Sequence, residues 1–177
     1  MTAAPDLLDP VVGFRAWKII DDRLLSPYIP CRWEGRVMHA TCYPANRSLL
    51  RGEGWLAAPH ASPHRDCRCG IYAYHRPGAQ SYYGEWLWVE GVVTVWGRVE
   101  AHRDGLRAEH ARVELLACPD RTDPARRRAA EGVAARLGVP SSPPATWPRQ
   151  GPRSARPCRR RCFPGRHPTR RGESLRT

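Results

Sequence analysis

The sequence predicts a small, mainly β (α+β) domain: an antiparallel sheet or partly open barrel, one C-terminal helix and a disordered basic tail. Three observations carry this. Before Pro119, β-branched and aromatic residues gather in short runs broken by Pro, Gly and Asp. A helical pattern follows at 124–137, with a proline start and a glycine stop. From Pro140 onward Pro and Arg are abundant and aliphatic residues nearly vanish. The expected division is a β-rich domain at 10–139 and a tail at 140–177.

In chain order, VVGFRAWKII (11–20) has apolar residues on both faces, as in a strand covered on two sides. Asp21-Asp22 is a turn before RLLS. Prolines 27, 30 and 44 cut the next region into short pieces. RCGIYAYH (68–75) reads as a strand stopped at Pro77-Gly78. The clearest element is EWLWVEGVVTVWGRVEAHRDGLRAEHARVELLA (85–117), a hairpin with Asp104-Gly105 as its two loop residues. Arg103 then faces Leu106, His102 faces Arg107, and Glu100 faces Glu109. A helix over 106–117 competes, because Ala and Glu favour helices, but the β-branched run before the turn favours the hairpin.

The segment DPARRRAAEGVAARLGVP places Asp123 as N-cap and Pro124 at the first helical position. Ala129, Val133 and Leu137 form a narrow apolar stripe that should dock on the sheet. Gly132 within it costs about 1 kcal/mol relative to Ala. The tail cannot bury enough surface to offset its ordering entropy. Its Arg/Pro/Gly/Ser text fits a frameshift extension in GC-rich DNA, and Cys158 and Cys162 would then be incidental.

The net charge of +12 invites a nucleic-acid reading, but its distribution argues otherwise. Residues 1–119 hold 14 Lys+Arg against 13 Asp+Glu, a net of +1. Residues 120–177 hold 15 Arg against 4 Asp+Glu, a net of +11. Nucleic-acid binding is therefore not expected of the folded domain and ranks last as a function, through the tail. No run reaches the roughly 18 apolar residues of a membrane span, and the N-terminus lacks a secretory pattern. A cytoplasmic protein is expected. The odd number of cysteines, seven, suits thiols or a metal site better than a disulfide framework.

The stretch APHASPHRDCRCGIYAY (58–74) carries the metal chemistry. Zinc in a structural site takes four N or S ligands in a tetrahedron. The candidates are Cys42, His60, His64, Cys67 and Cys69. Two cysteines two apart point to one side of an extended backbone. A single CxC without a second pair leaves two readings open, a zinc site or small buried sulfurs at a strand start. A redox pair ranks third, because CxC closes a tighter ring than CxxC and no thioredoxin-like βαβ pattern lies nearby.

GFRAW (13–17), LLSP (24–27), Trp33, ATC (40–42), HASPHRDCRCGIYA (60–73) and VTVWGRVEAHRDGLRAEHA (93–111) together resemble a family of small bacterial proteins without an assigned activity. Its pattern is an H-x-A-P…C-x-C-G-I-Y-A block and a W-G-x-V-x-x-H-x-x-G-x-R-A-E-Y-A block. The resemblance covers 13–117 and supplies a grouping rather than a mechanism. It implies His60 rather than His64 as ligand, with Cys42, Cys67 and Cys69. His102, Gly105, Arg107, Ala108 and Glu109 match the second block, and His110 stands where the family has Tyr.

One hairpin face carries Arg98, Glu100, His102, Arg107 and Glu109. It is either a solvated face of cross-strand charge pairs or a constellation in which His102, with Arg107 and Glu109, performs acid–base work. Trp17 and Trp96 are expected in the core. Trp86, Trp88, Tyr82 and Tyr83 are either core or a ligand-pocket lining. The expected function is a non-enzymatic binding or adaptor module for a protein or small molecule, with a structural zinc held by Cys42, His60, Cys67 and Cys69. The alternative is a small enzyme using His102, Arg107 and Glu109, or an open metal site.

Overall fold

Eight strands and one helix make up the computed structural model, which describes residues 10–42, 60–79, 87–117 and 123–142. Trp86, Tyr82, Tyr83, Cys158, Cys162 and the tail from 143 onward lie outside the described residues. The strands are β1 (Val11–Ile20), β2 (Arg23–Leu25), β3 (Arg32–Trp33), β4 (Val37–His39), β5 (Ile71–Tyr74), β6 (Trp88–Ala101), β7 (Gly105–Ala117) and β8 (Ser141–Ser142); α1 (Pro124–Leu137) lies between β7 and β8. The protein is mainly β, as its residue pattern predicts.

The long β6–β7 hairpin organises the sheet. Strands of 14 and 13 residues are too long to stay flat. Register shifts at Val92/Val93 and Trp96/Val99 bend the hairpin. At the second, Gly97 takes φ +77, and a Cβ there would meet the His110 ring at 2.8 Å. The bent hairpin pairs through β6 with β1 and through β7 with β5. A single pair, Phe14 with Tyr74, joins β5 to β1 and closes a ring of four strands.

Three short strands share the other edge of β7 in succession. β5 pairs with 105–108, β4 with 110–112, and β8, in parallel, with 116–117. β4 and β5 run in the same direction along this edge. They are separated at Glu109, whose carbonyl accepts from the amide of Ala40. The chain thus leaves the edge after residue 40 and returns to it at Ile71.

β1 is buried from Gly13 to Trp17, as expected of a strand covered on both sides. Asp21 and Asp22 take φ 50 and 53, the two positive values of a type I′ turn, which joins β1 to β2. Trp17 and Trp33 are fully buried and meet edge to face at 5.3 Å. Trp88 is buried, with the Lys18 ammonium over its ring. Trp96 departs from the core expectation: it is half-buried and lies against His110.

The β6–β7 turn also departs from the predicted register. The amide of His102 donates to the carbonyl of Gly105, so Arg103 and Asp104 form the loop. Ala101 faces Leu106, and Glu100 faces Arg107. Gly105 is drawn into the ladder with Tyr74, while the Asp104 carbonyl accepts from His75. Pairing with β5 outweighs the local preference of Asp-Gly for the centre of the turn.

The helix spans the predicted residues. Asp123 accepts from the Arg126 amide, and Gly138 closes it in the left-handed conformation. Ala130, Val133, Ala134 and Leu137 form the docked face, with Ala129 at its margin. Pro140, Ser141 and Ser142, assigned by composition to the tail, instead extend the domain. The Pro140 carbonyl accepts from Leu116, and β8 pairs with β7, so backbone hydrogen bonding holds residues whose side chains could not.

Gly132 is exposed, and a Cβ there would find its nearest neighbour, the Asp22 carboxylate, at 3.7 Å. Gly132→Ala should therefore stabilise the fold by about 0.5–1 kcal/mol, and Asp123→Ala should destabilise it by about 1 kcal/mol. Urea denaturation of the two variants, giving shifts of opposite sign, checks both.

Candidate metal centre

The edge of β7 brings the ligand candidates together. Cys42 lies two residues beyond the point where the chain leaves that edge after β4. Cys69 lies two residues before β5 rejoins it. Cys67 and Cys69 sit in the loop ahead of β5 rather than on a strand, because Gly70 at φ +128 interrupts the extended backbone.

One ligand atom each from Cys42, His60, Cys67 and Cys69 lies within 4.8 Å of all the others. Cys67 and Cys69 are buried, whereas Cys42 and His60 are half-buried. The sulfurs of Cys42 and Cys67 are 3.8 Å apart, and Nε2 of His60 is 3.3 Å from the sulfur of Cys69. Tetrahedral zinc, with bonds of about 2.3 Å to sulfur and 2.0–2.1 Å to nitrogen, spaces two sulfurs by roughly 3.8 Å and a nitrogen–sulfur pair by roughly 3.5 Å. The donor set and spacing fit such an ion. A disulfide sulfur pair is held at about 2.05 Å, and all four described cysteines are free.

His64 is not in the group. Its ring lies 5.0 Å from that of His60, and its Nδ1 accepts from the Asp66 amide. Burial, together with hydrogen bonding to and repulsion from Cys67 and Cys69, pushes the Cys42 thiol up to about 12. Burial also raises the Cys69 thiol. Crowded thiols of this kind stay protonated on their own and would lose their protons to a divalent cation.

The hairpin supplies the scaffold for this loop. Arg107 is 1% exposed and His102 is buried too, so the charged face is solvated only in part: Arg98 is exposed, and Glu100 and Glu109 are half-buried. Its Nη1 donates to the Cys67 carbonyl, its Nη2 to the His64 carbonyl, and its Nε and Nη2 to Glu100. Burial disfavours the Arg107 charge, and Glu100 and Tyr72 together more than offset this, so its pKa is raised. Arg98 holds the Pro63 carbonyl of the same loop. Gly70 is required at its position on two counts. Its φ of +128 disfavours a side chain, and a Cβ would lie 2.5 Å from the Arg107 Cγ.

His102 and Arg107 share the Glu100 carboxylate, whereas Glu109 is engaged elsewhere. His102 is 5% exposed, with Nε2 3.7 Å from Glu100. Glu109 instead accepts from the Arg98 amide at the bulge and stands 3.7 Å from His110. The charged partner of Arg107 is therefore Glu100, and the register reading missed it because the turn is displaced. The arginine's role as a clamp on two carbonyls some 40 residues upstream has no local sequence signal.

No protein-family model, curated protein or solved structure matches this chain.

Arg107→Lys should destabilise the protein by roughly 2 kcal/mol or more, because an ammonium cannot reproduce the planar fork. Arg112→Lys, at an exposed pair with Glu114, should change stability by less than about 0.5 kcal/mol. Equal denaturation midpoints for the two variants would refute the clamp. Burial, and then the Arg107 charge, lowers the pKa of His102 against the pull of Glu100. The unfolded chain therefore takes up a proton near pH 6.5 before the folded one does, so stability present above that pH is lost as pH falls below it. His102→Gln should flatten this slope, as read from urea midpoints at pH 7 and 5.

Proposed function

We propose that this chain is a small, non-enzymatic binding module whose Cys42–His60–Cys67–Cys69 site holds a structural zinc ion. The observation that carries the reading is the convergence of three sulfurs and one imidazole nitrogen within 4.8 Å of one another. Four protein ligands close a zinc tetrahedron and leave no position for a catalytic water, which is the pattern of structural sites. The location supports the same role. An ion here would clip both ends of the excursion that leaves the β7 edge after residue 40 and returns at Ile71, where a cross-link removes loop entropy from the unfolded chain. Arg107 presets one end by holding two of the loop's carbonyls. Membership of the family with the C-x-C-G-I-Y-A block is part of the proposal. No described helix is long and apolar enough to cross a membrane.

Elemental analysis of the full chain should find about one zinc per molecule. Chelation should lower the melting temperature, and Cys69→Ser should abolish both the metal and the chelator effect. Cobalt substitution should give the intense visible bands of tetrahedral thiolate coordination. A metal-free protein whose melting temperature ignores chelators and added zinc would refute the proposal.

A further inference from the structure

A second site lies on the other side of Gly70 and Thr41, and it is built on a buried cation. Arg15 sits in the middle of β1 and is 8% exposed. Its Nη1 donates to the Tyr72 carbonyl at 2.6 Å, and its Nη2 to the Ser26 hydroxyl at 3.2 Å. The guanidinium carbon stands 5.9 and 5.5 Å from the ring centroids of Trp17 and Trp33. Among the described residues, its Nε is buried with no acceptor. The titratable groups around it are Tyr74, Cys31, Tyr28 and Tyr72, all neutral near pH 7 in their ordinary state. Among the described residues, no carboxylate pairs with it.

This differs sharply from Arg107, the other deeply buried arginine among the described residues, which has Glu100. Burial lowers Arg15 to about 10, which leaves it charged at neutral pH. A buried charge without a counter-ion is among the costliest features a core can contain. Two hydrogen bonds and two aromatic faces offset part of that cost and leave the charge itself unbalanced.

Arg15 lines a small cleft, part of it open to solvent. Ser26, Cys31, His39 and Thr41 share its walls, with Trp33 as an apolar side. We propose that this cleft binds a small monoanionic carboxylate, with the Arg15 guanidinium as its counter-ion. A single unbalanced positive charge calls for a single negative one. The planar fork suits a carboxylate, and an aromatic wall suits a short apolar body. The cleft is small, so the acid must be a short one. The inference does not depend on zinc at the neighbouring centre, although Thr41 and Gly70 join the cleft wall to Cys42 and Cys69.

The test uses the full chain at constant ionic strength, with acetate, phosphate and chloride as probes. Acetate should raise the melting temperature saturably and shift the Arg15 Nε–H resonance in ¹⁵N-labelled protein, while phosphate and chloride should do neither. Arg15→Met should weaken acetate binding by roughly tenfold or more, the loss expected when a charged hydrogen-bonding partner is removed. The resonance titration keeps the proposal testable on the unaltered protein if that variant does not fold. A response to phosphate but not acetate would overturn the ligand class. No anion response beyond chloride, or an equal acetate response in Arg15→Met, would overturn the site.

Discussion

The guanidinium of Arg107 is the interaction on which the rest of the arrangement turns. It is anchored in β7, fully buried, and charge-balanced by Glu100 on the paired strand. Its remaining donors reach the carbonyls of His64 and Cys67. A loop rich in small and polar residues is thereby fixed to the most extensively paired strand of the sheet. Backbone carbonyls of such a loop, once buried, need partners, and a planar donor with a fixed fork satisfies two at once. The Glu100 carboxylate makes the buried charge tolerable, and Gly70 leaves room for the arginine stem.

Sheet topology supplies the second half of the arrangement. β4 and β5 lie end to end on one edge of β7, so the chain between them must depart and return within a short distance. Side chains at the two ends of that excursion are neighbours in space although distant in sequence. Cys42 belongs to the departing end, and His60, Cys67 and Cys69 to the returning end. Their meeting therefore follows from the ladder on β7, with the CxC spacing deciding only how two of the sulfurs are presented. The excursion is also where a clip has much to contribute, since closing a long loop removes entropy from the unfolded chain.

The two buried arginines show how burial separates roles that composition merges. Arg107 has a carboxylate partner and two carbonyls, which makes it part of the framework. Arg15 has a carbonyl, a hydroxyl and aromatic faces, and it borders open space. In a chain with 28 arginines, neither stands out by residue type. The difference lies in what surrounds each guanidinium, and only that surrounding distinguishes a structural ion pair from a charge awaiting a ligand.

Local chemistry in the sequence determined the elements themselves. The β-branched and aromatic runs specified strands. Asp123, Pro124 and Gly138 specified both ends of the helix, because capping is a matter of a few adjacent residues. The Asp21-Asp22 turn and a candidate ligand set of Cys42, His60, His64, Cys67 and Cys69 were readable in the same way, from residue type and spacing, while the preference for His60 over His64 came from the family resemblance. Tertiary structure decided what depends on long-range pairing. It moved the β6–β7 turn by one residue, because Gly105 pairs with Tyr74. It turned part of an apparently solvated charged face into the support of a buried loop, and separated Glu109 from His102. It also added β8 to the domain through backbone hydrogen bonds that no side-chain pattern announces. Hydrogen-bond partners and counter-charges for buried groups come from segments remote in the chain, so their identity exists only once the sheet has formed.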